Sequence, residues 1–243
     1  MIKLFKKGSQ TMAIQPTVAT LAVLFAAAFA PSLIYMTWIK NEEKFAHEPM
    51  SILIVIFVFC AVVSVIISYV LETVLTAAFV RFQGTSPSIL EALVPTIAIA
   101  PIVEEGVNPI GVFLLRNIKS FVHPFDGTIY GATSGLGFAA TENLLYEVSA
   151  LIKYGFSAAI LTVSLRAVSS TLIHGSATGL TGYGIGKWKF GASSVTIPLY
   201  YLGAVLLHGL FNLIATVGNL PLALVIAITS FLIMIFYGVR VSQ

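Results

Sequence analysis

Charge is what this sequence has least of. Asp, Glu, Lys and Arg make up 9% of its 243 residues, against 58% apolar side chains and a mean hydropathy of +0.97. A soluble globular domain carries about 25% charged residues, so the chain falls outside that class. It reads as an all-α, polytopic integral membrane protein embedded in a lipid bilayer, because a helix satisfies its own backbone polar groups in hydrocarbon. The net charge of +3 and pI near 9.0 do not indicate a nucleic-acid partner: the cations sit singly at helix ends and form no basic block.

Cysteine is almost missing as well. Cys60 stands alone in an apolar run, which excludes an intramolecular disulfide and a thiolate zinc site and leaves a small buried hydrophobe. Aspartate occurs once, at Asp126. An aspartyl pair is therefore excluded, and Asp126 at a helix start is expected to be an N-cap. There is no H-E-x-x-H zinc-protease signature and no G-x-S-x-G serine elbow.

What is present is a succession of apolar runs, each near the roughly 20 residues a helix needs to cross a bilayer. Seven spans are expected, at about 17–39, 50–71, 88–115, 126–151, 156–187, 196–217 and 220–239, in a single membrane domain after an N-terminal tail of residues 1–16. Residues 1–30 have the lysines and apolar stretch of a signal peptide. The apolar stretch continues to Ile39, however, so it is read as a retained first helix. The third, fourth and fifth spans exceed the bilayer requirement, which implies tilt or kinks at Pro95, Pro101 or Pro109. Seven cations in one set of loops against five in the other place the N-terminus outside, although Lys3, Lys6 and Lys7 argue the reverse. Glu72 and Glu91 fall near span ends, within reach of the interface.

Small residues mark two of the spans. Gly127, Gly131, Gly135, Ala139 and Asn143 fall at steps of four and share one helix face. Gly175, Gly179, Gly182 and Gly186 follow His174 in the fifth span. Small residues let membrane helices approach closely, so the fourth and fifth spans are expected to touch and to bring Glu142 and His174 into one cavity.

Against the apolar background stand Glu104 and Glu105, Glu142 with Asn143, His174, and His208 with Asn212. An ionisable group at the bilayer centre costs about 2.5–3.5 kcal/mol on insertion scales, so such a set is tolerable only where its members face one another. Arg166, inside the fifth span, needs a carboxylate and is expected to pair with Glu142 or Glu147 as a structural anchor. The set suits two hydrolytic chemistries. Glu105, Glu142, His174 and His208 are ordinary zinc ligands. Alternatively, a metal-free centre would use Glu104, assisted by Glu105, to activate water, with His174, His208 and Asn212 as positioning or oxyanion groups and Glu142 orienting a histidine. Intramembrane Glu and His also serve proton or cation transporters, although no convincing inverted repeat relates the two halves.

The run Phe125-Asp126-Gly127-Thr-Ile-Tyr130-Gly131-Ala, continued by Gly135-Leu-Gly137-Phe138-Ala-Ala-Thr-Glu142-Asn143-Leu-Leu-Tyr146, resembles the signature of the PrsW family of intramembrane proteases. Val103-Glu104-Glu105, His47-Glu48-Pro49, the run Ile-His174-Gly-Ser-Ala-Thr-Gly and His208 fit the same family, over about residues 31–212. The resemblance extends to the CAAX prenyl protease and bacteriocin-processing superfamily, with its Glu-Glu, F-x-x-x-H and H-x-x-x-N motifs. Here Glu142 stands for the histidine of the second motif, and His208 and Asn212 match the third. One departure is Asn108 where the family pattern E-E-x-x-K has lysine. The resemblance implies a plasma-membrane protease that makes the first cut in a single-pass membrane protein, in bacterial relatives an anti-sigma factor. A prenyl-protein or peptide-processing activity on the same residues is the neighbouring alternative.

Overall fold

The computed structural model describes residues 17–42, 48–83 and 89–241, and among them there is no strand. The N-terminal tail and His47 lie outside the described residues. The helices run in the order α1 (Val18–Glu42), α2 (Met50–Phe59), a π segment (Cys60–Ser64), α3 (Val65–Gln83), α4 (Ile89–Val94), a π turn (Pro95–Ile99), α5 (Ala100–Val107), α6 (Ile110–Leu115), α7 (Asp126–Tyr154), α8 (Phe156–Ala167), α9 (Ser170–Lys189), α10 (Thr196–Thr216) and α11 (Leu220–Ile233), which continues as a π helix (Met234–Val241). Six helical runs among the described residues are long and apolar enough to cross a membrane. With α7 added, they correspond to the seven spans read from the sequence, and the chain is a multi-pass integral membrane protein.

α7 is not among those six, and its position explains why. It runs through the middle of the bundle, with every residue from Asp126 to Ala140 buried, and packs against α1, α2, α8 and above all α9. Over this first half α7 is shielded from lipid by protein and has no need of an apolar surface, and its small residues serve close packing instead. A Cβ on Gly127 would lie 2.2 Å from the Gly182 carbonyl oxygen, one on Gly131 2.4 Å from that of Thr178, and one on Gly135 2.0 Å from that of His174. The expected contact of the fourth and fifth spans is therefore the tightest helix pair of the molecule. The second glycine set divides its work: Gly182 and Gly186 meet Gly127 and Pro124, whereas Gly175 and Gly179 face Phe231 and Met234 of the last helix.

Three expectations are corrected. The second span does not end at residue 71; α2, the π segment and α3 continue it to Gln83, so Glu72 lies well inside a helix rather than at its end. The fifth span is two helices, because α8 stops at Ala167 and Ser169 leaves helical geometry at φ −129°, ψ −85° before α9 begins. Asp126 is the first helical residue rather than the cap. Its Oδ2 accepts from the backbone N–H of Val122 (2.7 Å) and His123 (2.6 Å), tying down the preceding loop instead of the helix. The prolines of the third span act as read: Pro95 opens the π turn, Pro101 sits in the first turn of α5, and Pro109 separates α5 from α6.

Candidate metal and catalytic centre

α5 is short and carries both glutamates to the interior, Glu104 at 5% exposure and Glu105 at 0%. Consecutive helical residues diverge by about 100°, and the two carboxylates accordingly do different things. Glu105 receives the Thr178 hydroxyl on Oε2 at 2.9 Å and pairs through Oε1 with His208 Nδ1 at 3.0 Å. Glu104 points to the space between α9 and α10. Its Oε2 lies 3.7 Å from His174 Nδ1 and 3.9 Å from His208 Nε2, and the two imidazoles meet edge to face with centroids 4.7 Å apart.

The far nitrogen of His174 is held in turn, with Nε2 2.9 Å from Glu142 Oε2. Glu142 is itself clamped by Arg166 Nη2 at 2.5 Å. Arg166 also donates through Nε to Asn143 Oδ1 (2.7 Å) and through Nη2 to Ser170 (2.9 Å), and its guanidinium lies 3.9 Å from the centroid of the Tyr146 ring. Asn143 passes the network on to Thr171 at 2.8 Å. Each histidine therefore has one ring nitrogen engaged by a carboxylate. Because a carboxylate only accepts, that nitrogen carries the hydrogen, and in the neutral ring the other nitrogen is left with a lone pair directed at Glu104.

This tests how well the residues fit a metal ion. One atom each from Glu104, His174 and His208 lies within 4.8 Å of the others, and all three residues are buried. Glu104 Oε2 and His174 Nδ1 have no hydrogen-bond partner although both are buried. Buried orphan acceptors are costly, and two of them converging with the free ring nitrogen of His208, each histidine backed by its own carboxylate, is the arrangement of a metal ligand shell and its supporting layer. The residues fit a tetrahedral-type ion with an open position.

Five of the six residues nominated from sequence as catalytic are thus brought to one place, in two layers, and Asn212 stands apart. Glu104, His174 and His208 line the centre, while Glu105 and Glu142 back the histidines. Asn212 sits one turn beyond His208, and its Nδ2 donates to the Thr96 carbonyl at 3.0 Å. Arg166 takes Glu142 of its two candidate partners, and Glu147 stays buried with neither oxygen hydrogen-bonded. Asn108 is buried with its amide unpaired, so it supplies nothing to the glutamates. Its carbonyl instead accepts from Ser134 at 2.6 Å. Glu72, placed at a span end by sequence reasoning, lies within α3 in the neighbourhood of Glu104. The signal was available: a single carboxylate within the long apolar run from Ile52 to Val80.

Residues 48–239 match the profile of the PrsW family intramembrane metalloproteases. Among curated proteins, the chain is 33% identical over 200 residues to Protease PrsW of Clostridioides difficile (strain 630), covering 79% of this chain and 78% of the relative. It is 27% identical over 205 residues to Protease PrsW of Bacillus subtilis (strain 168), covering 79% and 83%. No solved structure matches the chain. The buried glutamate–histidine centre and these relationships agree, and the chain belongs to the PrsW family of intramembrane metalloproteases.

Proposed function

We propose that the protein hydrolyses a peptide bond in a single-pass membrane protein, of the anti-sigma-factor kind, at the point where Glu104, His174 and His208 converge. The observation that carries the reading is the convergence of Glu104, His174 and His208 from α5, α9 and α10, with Glu104 Oε2 and His174 Nδ1 buried and unpaired. Glu104 Oε2, His174 Nδ1 and His208 Nε2 would hold the ion, with zinc the metal suited to two imidazoles and a carboxylate. Such an ion supplies Lewis acidity towards a peptide carbonyl and water.

The protein's own contribution is orientation and dryness. Glu105 and Glu142 keep the hydrogens of His208 Nδ1 and His174 Nε2 outside the centre, so that both lone pairs stay available to it. Arg166 balances the charge of Glu142 without approaching the centre. Burial of the set at 5% exposure or less strengthens every electrostatic interaction made there.

The lone-pair arrangement favours this over the metal-free reading, in which the histidines must donate to an oxyanion. Donation would require each ring to carry a hydrogen on the nitrogen facing Glu104. Metal analysis of the purified protein combined with mapping of new N-termini in membranes tests the proposal. About one zinc per chain, lost in His208→Ala, together with cuts near single-pass helices that vanish in Glu104→Gln, is the expected result. Glutamate-dependent cuts from a protein that binds no metal would restore the glutamate-activated water. No cuts, in a well-folded protein, would favour transport through the same cavity.

A further inference from the structure

The centre is closed off, but its supporting pair is not. Glu104, His174 and His208 have side chains 1–6% exposed, whereas Glu142 and Arg166 are at 19% and 18%. Arg166 stands in the wall of an open cavity of about 390 Å³ bounded by α8, the start of α9, the end of α10 and the start of α11, with Asn212 across from it. That volume falls in the range of about 300–1,000 Å³ typical of ligand sites.

Its depth is fixed by α7. At 1.5 Å per residue the 29 residues of α7 run about 43 Å, more than the roughly 30 Å hydrocarbon thickness. The midpoint falls near Ala140, half a turn from Glu142, and α8 packs back along the second half. The cavity therefore runs from membrane depth beside Arg166 towards the end of the bundle where α10 stops at Thr216 and α11 begins at Leu220. Thr96, Thr162, Ser169 and Thr216 line it together with Arg166 and Asn212, among apolar residues such as Phe211 and Leu224. Two strong groups in it are incompletely used: Arg166 Nη1 and Asn212 Oδ1 bond to no described residue, although Nε and Nη2 of the one and Nδ2 of the other are engaged. The rim, in contrast, is apolar, with Leu165 40% and Leu220 50% exposed.

A transmembrane helix offers no peptide bond for attack while it is helical. Unwinding it in hydrocarbon leaves several N–H and C=O groups unpaired, at several kcal/mol each, so irregular backbone occurs at that depth only where protein or water receives it. From these features we infer that the cavity between α8 and α11 is the subsite that receives the unwound stretch of a membrane-embedded substrate helix. Arg166 Nη1 is the donor to its carbonyls, Asn212 Oδ1 the acceptor for its N–H groups, and the Leu165–Leu220 rim the lateral passage from lipid. The inference rests on the proteolytic reading for its purpose, but its test does not require cleavage.

The test uses the inactive Glu104→Gln protein in lipid nanodiscs, with single cysteines introduced as Thr162→Cys and Thr216→Cys. Cys60, at 0% exposure, serves as the unreactive blank. A water-soluble maleimide reads accessibility in the presence of either of two synthetic single-pass peptides of equal length, one with a central Gly-Pro break and one unbroken. Both cysteines should label without peptide, and the broken peptide alone should slow labelling, about fivefold at a concentration a few times its Kd. A control cysteine at lipid-facing Ile152 (79% exposed) should respond to neither.

Absence of aqueous labelling, protection by neither peptide, or equal protection by both would each overturn the inference; the last would indicate a face that docks lipid or intact helices. In otherwise wild-type protein, filling the cavity with Thr162→Phe should lower cleavage about tenfold by displacing the scissile stretch. Protection without any cleavage by wild type would retain the subsite and discard the protease, while cleavage without protection would do the reverse.

Discussion

Each imidazole of the centre is gripped from the side opposite Glu104, and the two grips are unequal. His208 leans on Glu105, which has a second bond from Thr178, whereas His174 leans on Glu142, whose other partner is Arg166. Replacing either backing glutamate by glutamine keeps its shape and one acceptor oxygen but removes the charge. Glu105→Gln and Glu142→Gln should each weaken zinc affinity about 10–100-fold, read by competition with a chelating dye. Glu104→Gln, which changes a proposed ligand itself, should weaken it more. Equal losses in all three would place Glu104 outside the ligand set. Arg166 allows an independent check on stability. With both partners less than one-fifth exposed, Arg166→Met leaves Glu142 buried beside His174 with its cation gone, a change of about 3 kcal/mol in the direction of unfolding. Adding Glu142→Gln should restore part of it in a denaturation series, since the stranded charge is then absent. Full additivity of the two substitutions would show that the pair is not coupled.

At the scale of elements, the helix pair that fixes His174 was legible in the sequence because glycine at steps of four has one efficient use in a membrane. Gly135 is where that pair and the centre meet: the atom a new Cβ would strike, at 2.0 Å, is the carbonyl oxygen of His174 itself. Backbone cannot swing aside as a side chain can, so Gly135→Ala should cost about 1–3 kcal/mol of stability and shift His174 from its position over Glu104, with metal affinity lost alongside. Gly106 is the matched comparison. It follows the glutamate pair directly, yet a Cβ there meets nothing closer than 3.8 Å from the Tyr201 ring, so Gly106→Ala should change thermal stability and metal affinity little. The break between α8 and α9 was not legible, because apolar residues run on through Leu161, Val163, Leu165, Val168 and Leu172. What ends α8 is backbone geometry at Ser169, in a segment whose polarity is dictated by the Arg166 network rather than by the membrane.

Across the whole molecule, hydropathy and burial part company. α10 and α11 present leucines such as Leu199, Leu206 and Leu232 outward at 49–63% exposure, while the interior belongs to α7 and α9, rich in Gly, Ser and Thr. A soluble protein shows the reverse. This is why the apolar runs told the number of spans but not which helix is central, and why the assignment of Glu72 depended on where an apolar run was judged to stop. It also explains how the site residues could be recognised as a group and not as layers. Which of five Glu and His side chains faces the common point depends on helix rotation, and spacing along one helix carries no information about the rotation of another. The three inner residues come from α5, α9 and α10, distant in sequence and joined in space only through this centre and its neighbours. An ion held by all three cross-links the bundle in its native form alone, and a ligand that binds only the folded state stabilises it by about 4 kcal/mol at a thousand times its Kd. Zinc added to metal-stripped protein in detergent should therefore raise its melting temperature. The rise should vanish in His208→Ala and in Glu104→Gln, and persist in Gly106→Ala. A rise of equal size in the first two variants would assign the stabilisation to some other site and leave the buried centre without its ion.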